Sequence, residues 1–103
     1  MLIHLPIIIL TSLYATPIGD AVPKYDIARE CRFESGSTDE LNKCATDETQ
    51  ARDQLQTGWS QFTPSEKIQC SKEASAGGIS SFVELQTCLE MEREVAQQRA
   101  GKT

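Results

Sequence analysis

Cys70-Ser71-Lys72-Glu73-Ala74-Ser75-Ala76-Gly77-Gly78-Ile79-Ser80-Ser81-Phe82-Val83-Glu84-Leu85-Gln86-Thr87-Cys88 is the stretch whose reading decides the fold. A helical run stops at paired glycines, which leave the right-handed helix at no side-chain cost. A new run starts at Ser80 or Ser81, and Glu84 stands three residues after Ser81, the spacing of a capping box. Phe82, Leu85, Cys88, Leu89, Met91, Val95 and Ala96 then recur at helical intervals, and the helix is expected to reach about Arg99. The midpoint of Cys70 and Cys88 is residue 79, inside the turn. In an antiparallel helical hairpin, residues equally far from the turn lie level, because both arms rise ~1.5 Å per residue. The stretch reads as a hairpin stapled by Cys70 and Cys88.

Upstream the same grammar recurs. Thr63-Pro64-Ser65-Glu66 supplies an N-cap, a proline at the first helical position and the capping-box glutamate. The helix it starts runs to Gly77-Gly78, with Ile68, Cys70 and Ala74 as the residues to bury. Ser37 and Glu40 start a longer helix to about Gln61, whose stripe is Leu41, Cys44, Ala51, Leu55, Trp59 and Phe62. A first helix is expected from about Asp26 to Glu34, before the turn Ser35-Gly36-Ser37-Thr38. Cys31 and Cys44 have their midpoint at 37.5, inside that turn. The fold class is all-α, a small four-helix arrangement of two disulfide-stapled helical hairpins, Cys31 with Cys44 and Cys70 with Cys88. The nested alternative, Cys44–Cys70 with Cys31–Cys88, puts Cys44 and Cys70 roughly 16 Å out of step along straight helices and needs a kink at Gly58.

The chain holds 103 residues, 39% of them hydrophobic, with net charge −5, so one small domain is the ceiling. Part of that apolar content lies in a leader. Residues 1–21 contain Leu5-Pro6-Ile7-Ile8-Ile9-Leu10 and end in Gly19-Asp20-Ala21, small residues three and one before a cut after Ala21. They read as a signal peptide to be removed, with a cut after Ala15 as the alternative. The apolar run falls short of the ~20 residues a bilayer span requires, so no stable membrane anchor is expected after cleavage. The remaining domain, 22–103, has 82 residues, net charge −4 and no histidine, since His4 goes with the leader. Periplasmic or secreted localisation follows. Histidine-dependent triads and metal sites lose their imidazole.

The cysteine spacings of thirteen, twenty-six and eighteen contain no Cys-x-x-Cys, the grip needed for a zinc site or dithiol exchange. In an oxidising compartment four thiols in so short a chain read as structural disulfides, with no metal and no cofactor expected. Without a basic cluster, nucleic acid is not a partner. Glu48 and Glu92 interrupt the apolar stripes, so an acid–base pair has to be weighed. The plainer expectation pairs Glu48 with Arg52 one turn on and sets Glu92 at a solvated margin or against Arg29 or Arg32. Trp59 at stripe spacing is expected in the core, with an exposed anchor as the alternative.

Gln50-Ala51-Arg52-Asp53-Gln54-Leu55, Gly58-Trp59-Ser60-Gln61-Phe62 and Gly77-Gly78-Ile79-Ser80-Ser81-Phe82-Val83-Glu84-Leu85-Gln86-Thr87-Cys88-Leu89-Glu90-Met91 together resemble a group of short exported proteobacterial proteins with four cysteines. The likeness covers about Cys44 to Met91. That group has no assigned activity, so the resemblance implies a cell-envelope setting and no catalytic residue. The expected function is a non-enzymatic exported module acting through contact with a protein partner; neither that partner's identity nor an oligomeric state is written in the residues. The alternative is a carrier of a small apolar ligand lined by Trp59, Phe62, Phe82 and Met91. An interaction module should expose an apolar patch, whereas a carrier should enclose a pocket of at least ~300 Å³.

Overall fold

The computed structural model describes residues 21–101. The leader read from residues 1–21 lies outside them, apart from Ala21. Four helices follow: α1 Ile27–Glu34, α2 Thr38–Gly58, α3 Pro64–Ala74 and α4 Phe82–Gly101, with a single 3-10 turn at Trp59–Gln61 after α2. Each start carries its own cap. The Asp26 carboxylate accepts from Arg29 N at 3.0 Å, and Ser37 Oγ accepts from Glu40 N at 3.2 Å. Thr63 Oγ1 accepts from Glu66 N at 3.1 Å while Glu66 Oε1 accepts from Thr63 N at 2.9 Å, satisfying two orphan donors reciprocally. Gly78, at φ 87°, makes the turn between α3 and α4, a conformation that glycine adopts without strain.

α1 packs on α2 and α3 packs on α4, and each hairpin carries its staple. Cys31 is bonded to Cys44 and Cys70 to Cys88, with Cα separations of 5.5 Å in both, in the middle of the disulfide range. The nested pairing does not occur. The two hairpins meet along α2 and α4. Their shared core is Ala51, Leu55, Trp59 and Phe62 from the α2 side, Cys70 and Ala74 from α3, and Phe82, Leu85 and Leu89 from α4. The segment ahead of α1 and the first residue of that helix close one edge: Val22, Tyr25 and Ile27 pack on this core, with the Tyr25 and Phe82 ring centroids 4.7 Å apart.

Several expectations are corrected. α2 stops at Gly58, and Trp59–Gln61 tightens into the 3-10 turn, a common way to end a helix. α3 ends at Ala74, three residues before the glycines. Ile68 is exposed because it lies 200° around the helix from Cys70 at 100° per residue, whereas Ala74 lies only 40° away. Met91 and Val95 are exposed as well, since the buried face of α4 is the narrower strip through Phe82, Leu85 and Leu89.

Candidate functional site

Two glutamates on the interior side of the hairpins do work that their own helices do not reveal. Glu48, 4% exposed, reaches across from α2 to the start of α4. It accepts from Ser81 Oγ at 2.6 Å, Phe82 N at 2.7 Å and Val83 N at 3.2 Å, while Ser81 Oγ accepts from Glu84 N at 3.2 Å. A carboxylate there satisfies free N–H groups and meets the positive end of the helix dipole. Of the capping box expected from Ser81 and Glu84 the Ser81 half is in place, and the next two backbone donors at the start of α4, Phe82 N and Val83 N, go to Glu48. Arg52, the expected partner of Glu48, instead binds Asp53 at 3.2 Å.

Glu30 of α1 is 3% exposed. Its pKa is raised to about 7, first by burial and then by the neighbouring carboxylates of Glu34, Glu48 and Glu84. The Glu34 carboxyl also shares a hydrogen bond with it, which favours the protonated form. Tyr25 is a second shifted group: burial raises its pKa, an effect the adjacent Ser75 and Ser71 hydroxyls oppose.

On the outer side of the second hairpin, α3 and α4 frame an apolar groove of about 340 Å³, open to solvent. Glu73 and Ala74 come from α3, and Val83, Glu84, Thr87, Cys88, Met91 and Glu92 from α4. Met91 is 61% exposed within it, and Val95, one turn further along α4, is 42% exposed. The Cys70–Cys88 bond ties the two walls together. Glu73 Oε2 lies 3.0 Å from Cys88 Sγ, a close oxygen–sulfur contact, since a disulfide sulfur carries no proton to donate. Cys70, Glu73 and Cys88 also form a convergent group of potential metal donors, but both sulfurs are spent in the disulfide and offer no thiolate.

The residues singled out in the sequence separate. Trp59, Phe62 and Phe82 are buried in the core, whereas Met91 stands in the groove. Lys67 lies over the Trp59 ring and Arg93 over the Phe62 ring, each 5.2 Å from the centroid. Phe62 also borders a second recess of about 290 Å³ with Gln86 and Arg93. Glu48 and Glu92 do not share a cleft: Glu48 is consumed by the start of α4, and Glu92 lines the groove. Sequence reasoning missed Val83, Glu84 and Glu73 as groove residues. For Val83 the signal was available as a second face of α4, where Val83, Thr87 and Met91 follow at intervals of four. Compared with protein-family models, curated proteins and solved structures, the chain matches none.

Proposed function

We propose that this is a non-catalytic protein-interaction module of the periplasm or the extracellular space, docking through the groove between α3 and α4. The disulfides suggest an oxidising extracytoplasmic environment, and among the described residues no helix is long and apolar enough to cross a membrane. The carrying observation is the groove itself: apolar side chains stand exposed there on a helix whose opposite face is packed into the core at Phe82, Leu85 and Leu89. Its volume is at the lower end of ligand pockets, ~300–1,000 Å³, and such pockets bury most of a small ligand's surface. An open trough suits side chains presented by another protein better than an enclosed apolar molecule, so the interaction reading stands above the carrier reading.

The test is site-specific photo-cross-linking in the exporting cell with the full chain, with the probe at Met91 and a control probe at Lys43, an exposed residue of α2. Protein adducts at Met91 that the control lacks support the module. Adducts only with small molecules at Met91 would replace it with the carrier.

A further inference from the structure

The rim of the groove carries a chemical signature. Three of its lining residues, Glu73, Glu84 and Glu92, are acidic and none is basic. Between the carboxylates lie Ala74, Val83 and Met91. An apolar floor with a one-signed rim selects a partner that is apolar on one side and positively charged beside it. From Val83 to Val95 the exposed apolar residues of α4 extend over ~18 Å of helix, about three turns. A helix laid along two antiparallel helices buries such a strip with its own residues at intervals of three and four. The Cys70–Cys88 staple holds the groove walls in place before binding, which lowers the ordering cost of association.

We propose that the groove receives a basic amphipathic helix of the partner protein, apolar residues seated between α3 and α4 and Lys or Arg side chains meeting Glu73, Glu84 and Glu92. This rests on the interaction reading above and adds the chemistry of the partner. The occupant is a segment of another protein; a second copy of this acidic chain would bring like charge to the rim.

Three peptides of about 18 residues, roughly 27 Å long as helices, test it against the full chain with disulfides intact. One has Leu along one face and Lys along the other, one replaces every Lys by Glu, and one scrambles the Lys peptide so that no face remains. Binding is read by amide chemical shifts and titration. The Lys peptide should shift Ala74, Val83, Thr87 and Met91 and bind at least tenfold more tightly than either control. Glu84→Gln with Glu92→Gln should weaken it about tenfold, and so should added salt. Met91→Glu, at an exposed position, should abolish the shifts while the circular dichroism stays unchanged. Equal binding of the Glu peptide overturns the charge selection while leaving a docking groove in place. Equal binding of the scrambled peptide overturns the helical partner. Groove shifts that grow with protein concentration before any peptide is added make a second copy the occupant. If no peptide shifts the groove and Met91 gives no protein cross-link, both this inference and the interaction reading fall.

Discussion

Replacing Glu30 by Gln should stabilise the domain at pH 8 and leave it nearly unchanged at pH 4. An ordinary glutamate titrates near 4.5, and in the fold Glu30 is raised to about 7, first by burial and then by Glu34 and the other carboxylates. Below about pH 4.5 both folded and unfolded chains hold the proton, and the group contributes no pH dependence. Between about 4.5 and 7 the unfolded chain has released it while the folded chain keeps it, so rising pH favours unfolding. Above about 7 both are ionised and the penalty stays level. At ~1.4 kcal/mol per unit of difference, the full penalty is about 3 kcal/mol, a large share of the ~5–15 kcal/mol that holds a domain together. Urea unfolding at several pH values, with disulfides intact, reads this through circular dichroism and through Trp59, which is buried in the core. The stability difference between Glu30→Gln and the parent should widen from near zero at pH 4 to about 3 kcal/mol at pH 8. Because burial is the leading cause, added salt should remove only the Coulombic part. A difference that stays flat from pH 4 to pH 8 would refute the reasoning.

Three further outcomes test other parts of the architecture. Glu48→Ala should cost about 3 kcal/mol, because it strands the Ser81 hydroxyl and two backbone N–H groups at the start of α4; Glu48→Gln, which keeps one acceptor oxygen, should cost less, and equal losses in urea unfolding would count against the cap. Reduction should lower the thermal midpoint sharply, since each closed loop contributes roughly 3 kcal/mol on the chain-entropy account; a melting curve indifferent to reductant would show that the helices hold without their staples. Leu85→Ala, at a fully buried position, should cost about 3 kcal/mol, while exposed Ile68→Ala should stay within about 0.5 kcal/mol, and calorimetry distinguishes the two directly.

The features legible in the sequence were those with local causes. Caps at Ser37, Thr63 and Ser81 act within four residues, and the cysteine pairs are level because each brackets a turn, so helices and disulfides follow from spacing. Glu48 was legible only as a misfit in an apolar stripe. Its partners lie thirty-three to thirty-five residues away, and no periodicity announces which helix start will meet a carboxylate. Glu30 stood in a short helix with nothing to mark it as buried; its burial is a product of how α1 lies on α2. The groove is hidden for a related reason: the apolar residues that recur along α4 divide into a strip that meets α2 and α3 and a second strip that meets solvent. Ile68 could have been placed correctly by angular position alone.

The order of the two staples along the chain also bears on how the protein is made. Each cysteine is bonded to its neighbour in sequence, Cys31 to Cys44 and Cys70 to Cys88, so the two covalent loops neither overlap nor nest. A chain entering an oxidising compartment amino terminus first presents Cys31 and Cys44 together while Cys70 is still to come, and the first thiol pair available is the native one. The same holds for the second pair once the first is closed. Of the three ways to join four cysteines, this is the one that sequential emergence favours, and correct bonding then needs no later reshuffling.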